Sequence, residues 1–278
     1  MSDFRLHRRF DRIGRLVGDK GMEYLSQSHV LVVGVGGVGS FAAESLVRSG
    51  VGKITLVDFD LVCITNSNRQ LQAIKGVVGK PKASVLAERL RLINPNAEIK
   101  SVPWAYDNRT SSMLLEGKNR PDYVIDAIDN VSTKCLLLAR CRELEIPIVC
   151  STGASGRWDP TKIQVTDLAK TTVDPLAQAV RKILRQKHNF PRNGKFGITA
   201  VFSTEPLQEP EVLAYDKQGE FQCVCPNGEN DFHSCESRSV IWGTAGFVTG
   251  SFGLICASVA VREILENKQM IKEALVSK

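Results

Sequence analysis

The stretch VVGVGGVGSFAAESLVRSG, from Val32 to Gly50, constrains this chain more than any other. An apolar, β-branched run, HVLVVGVG, enters a glycine-rich turn and a helical pattern leaves it. Gly34, Gly36 and Gly39 thus fall in a G-x-G-x-x-G spacing between strand and helix. Such a turn brings the backbone close to a phosphate, which meets the free N–H groups and the positive dipole end of the helix. Asp58, at the end of the next apolar run, KITLVDFD, stands where a carboxylate takes a ribose hydroxyl. This much suits NAD as well as ATP.

The pattern around the turn alternates. Lys82 to Leu92 places Ala83, Leu86, Ala87 and Leu90 on one helical stripe. EIKSVPW and DYVIDAID read as a third and a fourth strand, Lys134 to Leu144 as a helix, and IPIVCST as a fifth strand. This order predicts an α/β fold: a doubly wound, Rossmann-like, mostly parallel sheet with helices on both faces. KIQVTDL and ITAVFST add strands on either side of a basic amphipathic helix striped by Leu176, Val180, Ile183 and Leu184, and a polar, hairpin-like stretch opens an irregular C-terminal extension. With 43% hydrophobic and 24% charged residues, the 278 residues read as one ordered domain, 1–278. Residues 1–160 would form its nucleotide-binding half, and 161–278 a substrate-binding and dimer half.

The N-terminal MSDFRLHRRFDRIGRLVG mixes Arg and Asp and lacks a continuous apolar run, so no secretory signal is expected and the expected location is cytoplasmic. Eight cysteines, mostly scattered singly, suggest reduced thiols, with Cys63, Cys135, Cys141, Cys150 and Cys256 in the core. Cys223, Cys225, His233 and Cys235 offer four zinc donors, but C-x-C is less usual than C-x-x-C in structural sites, and zinc is disfavoured there. Trp242 to Val261 is twenty residues without a charge, long enough to span a bilayer. Its four glycines (Gly243, Gly246, Gly250 and Gly253) leave it only marginally hydrophobic, so a buried helix packed on the sheet is expected and membrane association disfavoured.

Charges at the strand ends favour ATP over NAD. DFDLVCITNSNRQ delivers Asn68, Arg69 and Gln70 after the second strand; VGKPKAS opens the next helix near Lys82; DAIDN closes the fourth strand with Asp126, Asp129 and Asn130. A pyrophosphate is served by backbone amides and a helix dipole. A triphosphate calls in addition for cationic side chains and for Mg2+ held by a carboxylate. Arg69, Lys82 and Asp129 form such a set.

Together with R-F-D-R near the N-terminus, the motifs G-x-G-G-x-G, D-x-D-x-V, N-x-N-R-Q, G-x-x-K and D-x-x-D-N resemble those of the adenylating superfamily related to ubiquitin-activating E1, that of the ThiF, MoeB and HesA proteins. The resemblance implies that a carboxylate is activated on the α-phosphate of ATP, giving an acyl adenylate and pyrophosphate. It implies that Gly34, Gly36, Gly37 and Gly39 cradle the nucleotide beside Asp60, that Asp58 holds the ribose, that Asn68, Arg69 and Lys82 contact phosphates, and that Asp129 binds Mg2+. Arg12 would reach the partner's ATP in a homodimer.

Members that activate sulfur carriers usually carry two C-x-x-C pairs and often an acyl-accepting cysteine, and neither pattern is present. IQVTDLAKTTVDPLAQAVRKILR, VFSTEP and GTAGFVTGSFG are instead similar to the branch that dehydrates N6-threonylcarbamoyladenosine in tRNA to its cyclic form. That likeness implies tRNA as substrate and leaves open a cysteine desulfurase's sulfur-acceptor protein as a partner. The net charge is +6, and Pro175 to Thr204 holds no acidic residue while Arg181, Lys182, Arg185, Lys187, Arg192 and Lys195 crowd together. Such a run is a solvated face or a polyanion surface, and the resemblance makes Arg181, Lys182 and Arg185 the candidates for tRNA phosphates. Activation of a sulfur-carrier C-terminus and NAD-dependent oxidoreduction are the alternatives.

Overall fold

Seven short strands carry the molecule: β1 (His29–Val33), β2 (Lys53–Val57), β3 (Glu98–Val102), β4 (Tyr123–Asp126), β5 (Ile148–Ser151), β6 (Ile163–Asp167) and β7 (Thr199–Ser203). The structure, a computed structural model, describes residues 5–214 and 241–276. The strands form one sheet in the order β3-β2-β1-β4-β5-β7-β6, parallel throughout except for β6, which runs antiparallel to β7 at the edge. The central strands β1, β4 and β5 are buried along their whole length, which is why they read as unbroken apolar runs rather than alternating ones.

Helices cover both faces. On one lie α1 (Asp11–Gln27), α2 (Gly39–Arg48), α3 (Lys82–Ile93) and α7 (Gly246–Val276), packed through Met22, Leu46, Leu86 and Phe252 among others. On the other lie α4 (Asn108–Leu115), α5 (Val131–Glu143) and α6 (Pro175–Lys187), packed through Leu114, Leu138, Val180 and Leu184. The expected α/β, doubly wound fold is the one observed.

Two helices had no clear signature in the sequence. α1 is kinked at Gly18, whose φ is +72°, and its buried residues Gly14, Gly21, Met22 and Leu25 form too sparse a stripe among charges to announce it. α4 is a short segment of weak helix formers, started by the Asp107 carboxylate, which accepts N–H bonds from Arg109 and Thr110 at 2.8 Å each.

The uncharged run Trp242 to Val261 becomes helical only at Gly246. Gly246–Lys268 is long and apolar enough to cross a membrane, yet most of its most apolar window is buried inside the fold, against α2, β4, β5 and β7. Gly253 makes the closest of these approaches, since a Cβ there would overlap the carbonyl oxygen of Val38 at the start of α2. Cys63, Cys135, Cys141, Cys150 and Cys256 are all buried. Cys223, Cys225, His233 and Cys235 lie outside the described residues, as does most of the polar stretch after β7; among the described residues no three His, Cys, Asp or Glu side chains gather as a metal site.

Candidate functional site

The connections leaving β1 and β4 run to opposite sides of the sheet, and these strands are neighbours, so a crevice opens outside their carboxyl ends. The glycine turn fills its floor. Gly34 takes φ +85°, and a Cβ on it would stand 2.6 Å from the carbonyl oxygen of Ala127 after β4, so the turn needs glycine for both backbone angle and space. Gly39 opens α2, and Gly36 and Gly37 lie beside Gln70 and Arg69. Two side chains hold the turn's backbone: Asp58 accepts the N–H of Val35 at 2.7 Å, and the buried amide of Gln72 donates to the Val35 carbonyl at 2.7 Å.

After β2, Asp58 and Asp60 and the first residue of α3 form a charged corner. Asp58 Oδ1 also accepts the N–H of Asp60 at 2.9 Å. Lys82, nearly buried, places Nζ 2.8 Å from Asp60 Oδ2, and its own N–H bonds the Asp60 carbonyl at 2.9 Å. Burial pulls the pKa of this ammonium down, but Asp58 and Asp60 outweigh it and hold Lys82 above its ordinary range. Burial pushes the Asp58 carboxyl up, against the opposing pull of Lys82. A cation kept charged in a sheltered corner, at the amino end of a helix, is suited to a polyphosphate.

The N-R-Q loop borders this corner. Asn68 donates from Nδ2 to the carbonyl of Thr244 at 2.8 Å, and Arg69 bonds the Thr65 carbonyl and Asn68 Oδ1, each at 2.9 Å. Opposite, after β4, Asp129 is exposed, and its charge is felt by Lys82 and Lys134. One exposed carboxylate at such a crevice would suit Mg2+ bound together with a polyphosphate, whose oxygens and water would supply the other ligands. Asp126, noted in the sequence among the charges at the strand ends, is wholly buried, with Oδ2 2.7 Å from Nζ of Lys134 and Oδ1 accepting the N–H of Ile128 at 3.1 Å. Lys134 falls within an apparently routine helical stripe, and Gln72 beyond the motif, so neither had a local signal.

Beyond β5, Arg157 and Asp174 form a second wholly buried pair, 3.2 Å apart. Asp174 also accepts from Thr152 Oγ1, from the N–H of Gly153 and, as N-cap of α6, from the N–H of Ala177. The basic helix therefore starts beside the crevice. Its cations are not equivalent: Lys182 is exposed, whereas Arg181 bonds Thr171 Oγ1 and Arg185 stacks over Phe196 at 5.0 Å.

Arg12 is not brought to the crevice of its own chain. It is exposed on the first turn of α1, next to Phe10, which packs by Gly50, and Arg9, which bonds Asn94. Gly50 and Asn94 precede β2 and β3, so this turn sits at the amino ends of the strands, about 16 Å of five-residue strand away from the crevice.

The tRNA threonylcarbamoyladenosine dehydratase of Haemophilus influenzae is 41% identical over 263 residues, 94% of each chain. The crystal structure of the Escherichia coli tRNA N6-threonylcarbamoyladenosine dehydratase in complex with AMP superimposes with a TM-score of 0.80 at 40% identity, covering 94% of this chain and 96% of that one. The same enzyme in complex with ATP gives a TM-score of 0.79 at 39% identity, covering 95% and 96%. The ThiF family model matches residues 10–277, and the chain belongs to the ThiF family.

Proposed function

We propose that this chain dehydrates N6-threonylcarbamoyladenosine in tRNA to its cyclic form, consuming ATP by adenylation. The reading is carried by the charged Lys82 held beside Asp58 and Asp60 at the switch-point crevice, within a likeness to the dehydratases that runs the length of the chain.

A carboxylate oxygen of the threonine side of the base attacks the α-phosphorus of ATP. The bond from that phosphorus to the bridging oxygen breaks, and pyrophosphate leaves. Asp58 takes the ribose, Asn68, Arg69 and Lys82 meet the phosphates, and Asp129 holds Mg2+, which supplies charge neutralisation when bound. Gly34, Gly36, Gly37 and Gly39 admit the phosphates to the start of α2. The ureido nitrogen of the base then attacks the acyl carbon, AMP departs with the former carboxylate oxygen, and the nitrogen gives its proton to solvent. The ring closes within one molecule, so orientation supplies much of the rate and no protein nucleophile is called for.

The molecule acts as a homodimer in which Arg12 reaches the partner's ATP. Its position at the far end of the sheet from its own crevice supports this. The half from 161 to 278 carries the tRNA surface, with Lys182 exposed and the half-buried Arg181 and Arg185 alongside; the sulfur-acceptor protein of a cysteine desulfurase is a candidate further partner.

The test is incubation with ATP, Mg2+ and tRNA carrying the modified base, followed by mass analysis of the nucleosides. Loss of one water from the base, with one AMP and one pyrophosphate released, is expected. Pyrophosphate exchange only in the presence of a small carrier protein would replace this reading with sulfur-carrier activation, and thermal stabilisation by NAD but not by ATP would replace it with oxidoreduction.

A further inference from the structure

The pair Asp126–Lys134 is wholly buried, the two side chains being 0% and 1% exposed, beneath the turn that carries Asp129. Stability does not account for it. Removing two charges from water costs about as much as their attraction returns, and apolar pairs of similar volume often replace such bridges without loss. A bridge provides direction, which an apolar contact does not. Asp126 uses both oxygens: Oδ2 is held by Lys134 Nζ at 2.7 Å, and Oδ1 holds the N–H of Ile128 at 3.1 Å. Lys134 rises from α5, whose N-cap Asn130 accepts the N–H of Thr133 at 3.0 Å. The turn from Ala127 to Asn130 is thus clamped at both ends, and its first residue is fixed to β1 by the bond from Ala127 N–H to the Val33 carbonyl at 2.9 Å. Its carbonyl also abuts Gly34 in the phosphate turn. One rigid piece joins the glycine turn to Asp129.

We propose that Asp126 and Lys134 are positioning residues for the adenylation site, aiming the Asp129 carboxylate at the metal without touching nucleotide or metal themselves. This rests on the adenylation reading above.

The experiment compares the full chain with Lys134→Met and with the double variant Asp126→Leu/Lys134→Met, measuring the melting temperature and, by calorimetry, the Mg2+ concentration that half-saturates the enhancement of ATP binding. Lys134→Met leaves a buried carboxylate without its partner and should melt well below the parent. The double variant should recover most of the melting temperature yet need at least tenfold more Mg2+, because the fold is restored and the aim is not. A double variant with the parent's Mg2+ midpoint would overturn the proposal. So would one that fails to regain the fold, since the pair would then be holding the core itself. The parent is the control for the underlying reading: if its ATP binding does not respond to Mg2+, it is the metal-assisted adenylation reading that fails.

Discussion

Lys82 and Asp60 form an inside-out pair: the ammonium is the sheltered member, its side chain 8% exposed, and the carboxylate the outer one at 39%. Asp60 therefore holds Lys82 in place and charged while leaving its far side to an incoming anion. Lys82→Met should lower adenylation by about 100- to 1,000-fold, the usual cost of removing one preorganised electrostatic contact. Asp60→Asn should cost less, since Asp58 still supports the charge. The raised Lys82 pKa stabilises the fold at every pH below the unfolded lysine value, and that contribution fades only as pH climbs through the higher folded value. Adenylation rates between pH 6 and 9 should accordingly show no limb that disappears in the Lys82 variant.

Asp129 is exposed and its loss empties no core. Asp129→Ala should melt within about 2 °C of the parent, the range of a neutral surface change. Its turnover should be lost, and the extra thermal stabilisation that Mg2+ adds to ATP should vanish. A variant that keeps that increment would place the metal ligand elsewhere.

The proposed sharing of Arg12 across a homodimer makes a quantitative demand on mixed dimers. An Arg12→Ala chain keeps Asp129, and an Asp129→Ala chain keeps Arg12, so each heterodimer has one intact site of two. Random exchange makes half the dimers mixed, and about a quarter of parental activity should return on mixing two inactive proteins. Exchange is verified by mass spectrometry of labelled chains; no recovery after proven exchange would confine Arg12 to a structural role.

The cations of α6 should separate by their contacts. Lys182→Ala should leave the melting temperature unchanged and flatten the salt dependence of tRNA binding by about one unit of slope, one phosphate contact. Arg181→Ala should also lower the melting temperature, because its guanidinium bonds Thr171 within the fold. Filter binding over a range of salt, together with thermal melts, distinguishes the two.

Much of this was legible because the phosphate turn and strand ends are local features. Gly34, Asp58, Arg69, Lys82 and Asp129 are each marked by a neighbour within a few residues, and the sheet assembles them. What stayed hidden is of two kinds. Gln72, Lys134 and the Arg157–Asp174 pair act through partners brought together only by the fold: 37 residues separate Gln72 from Val35, and 17 separate Arg157 from Asp174. The different surroundings of Arg181, Lys182 and Arg185 depend on Thr171 and on Phe196 before β7, and helical periodicity alone put all three basic residues outside.

The contact between Gly253 and Val38 ties α7 to the start of α2, the helix that the glycine turn opens. A nucleotide seated on the amino end of α2 and α7 seated on the same turn thus share one support, and whatever steadies that support for one steadies it for the other. If α2 takes the nucleotide as proposed, substituting Gly253 so that α7 is pushed off this turn should weaken ATP binding, by the reciprocity that links two partners of one support. Nucleotide affinity would then depend on a helix far along the chain from the glycine motif, and calorimetry of such a variant should show weaker ATP binding with every residue of the crevice unchanged.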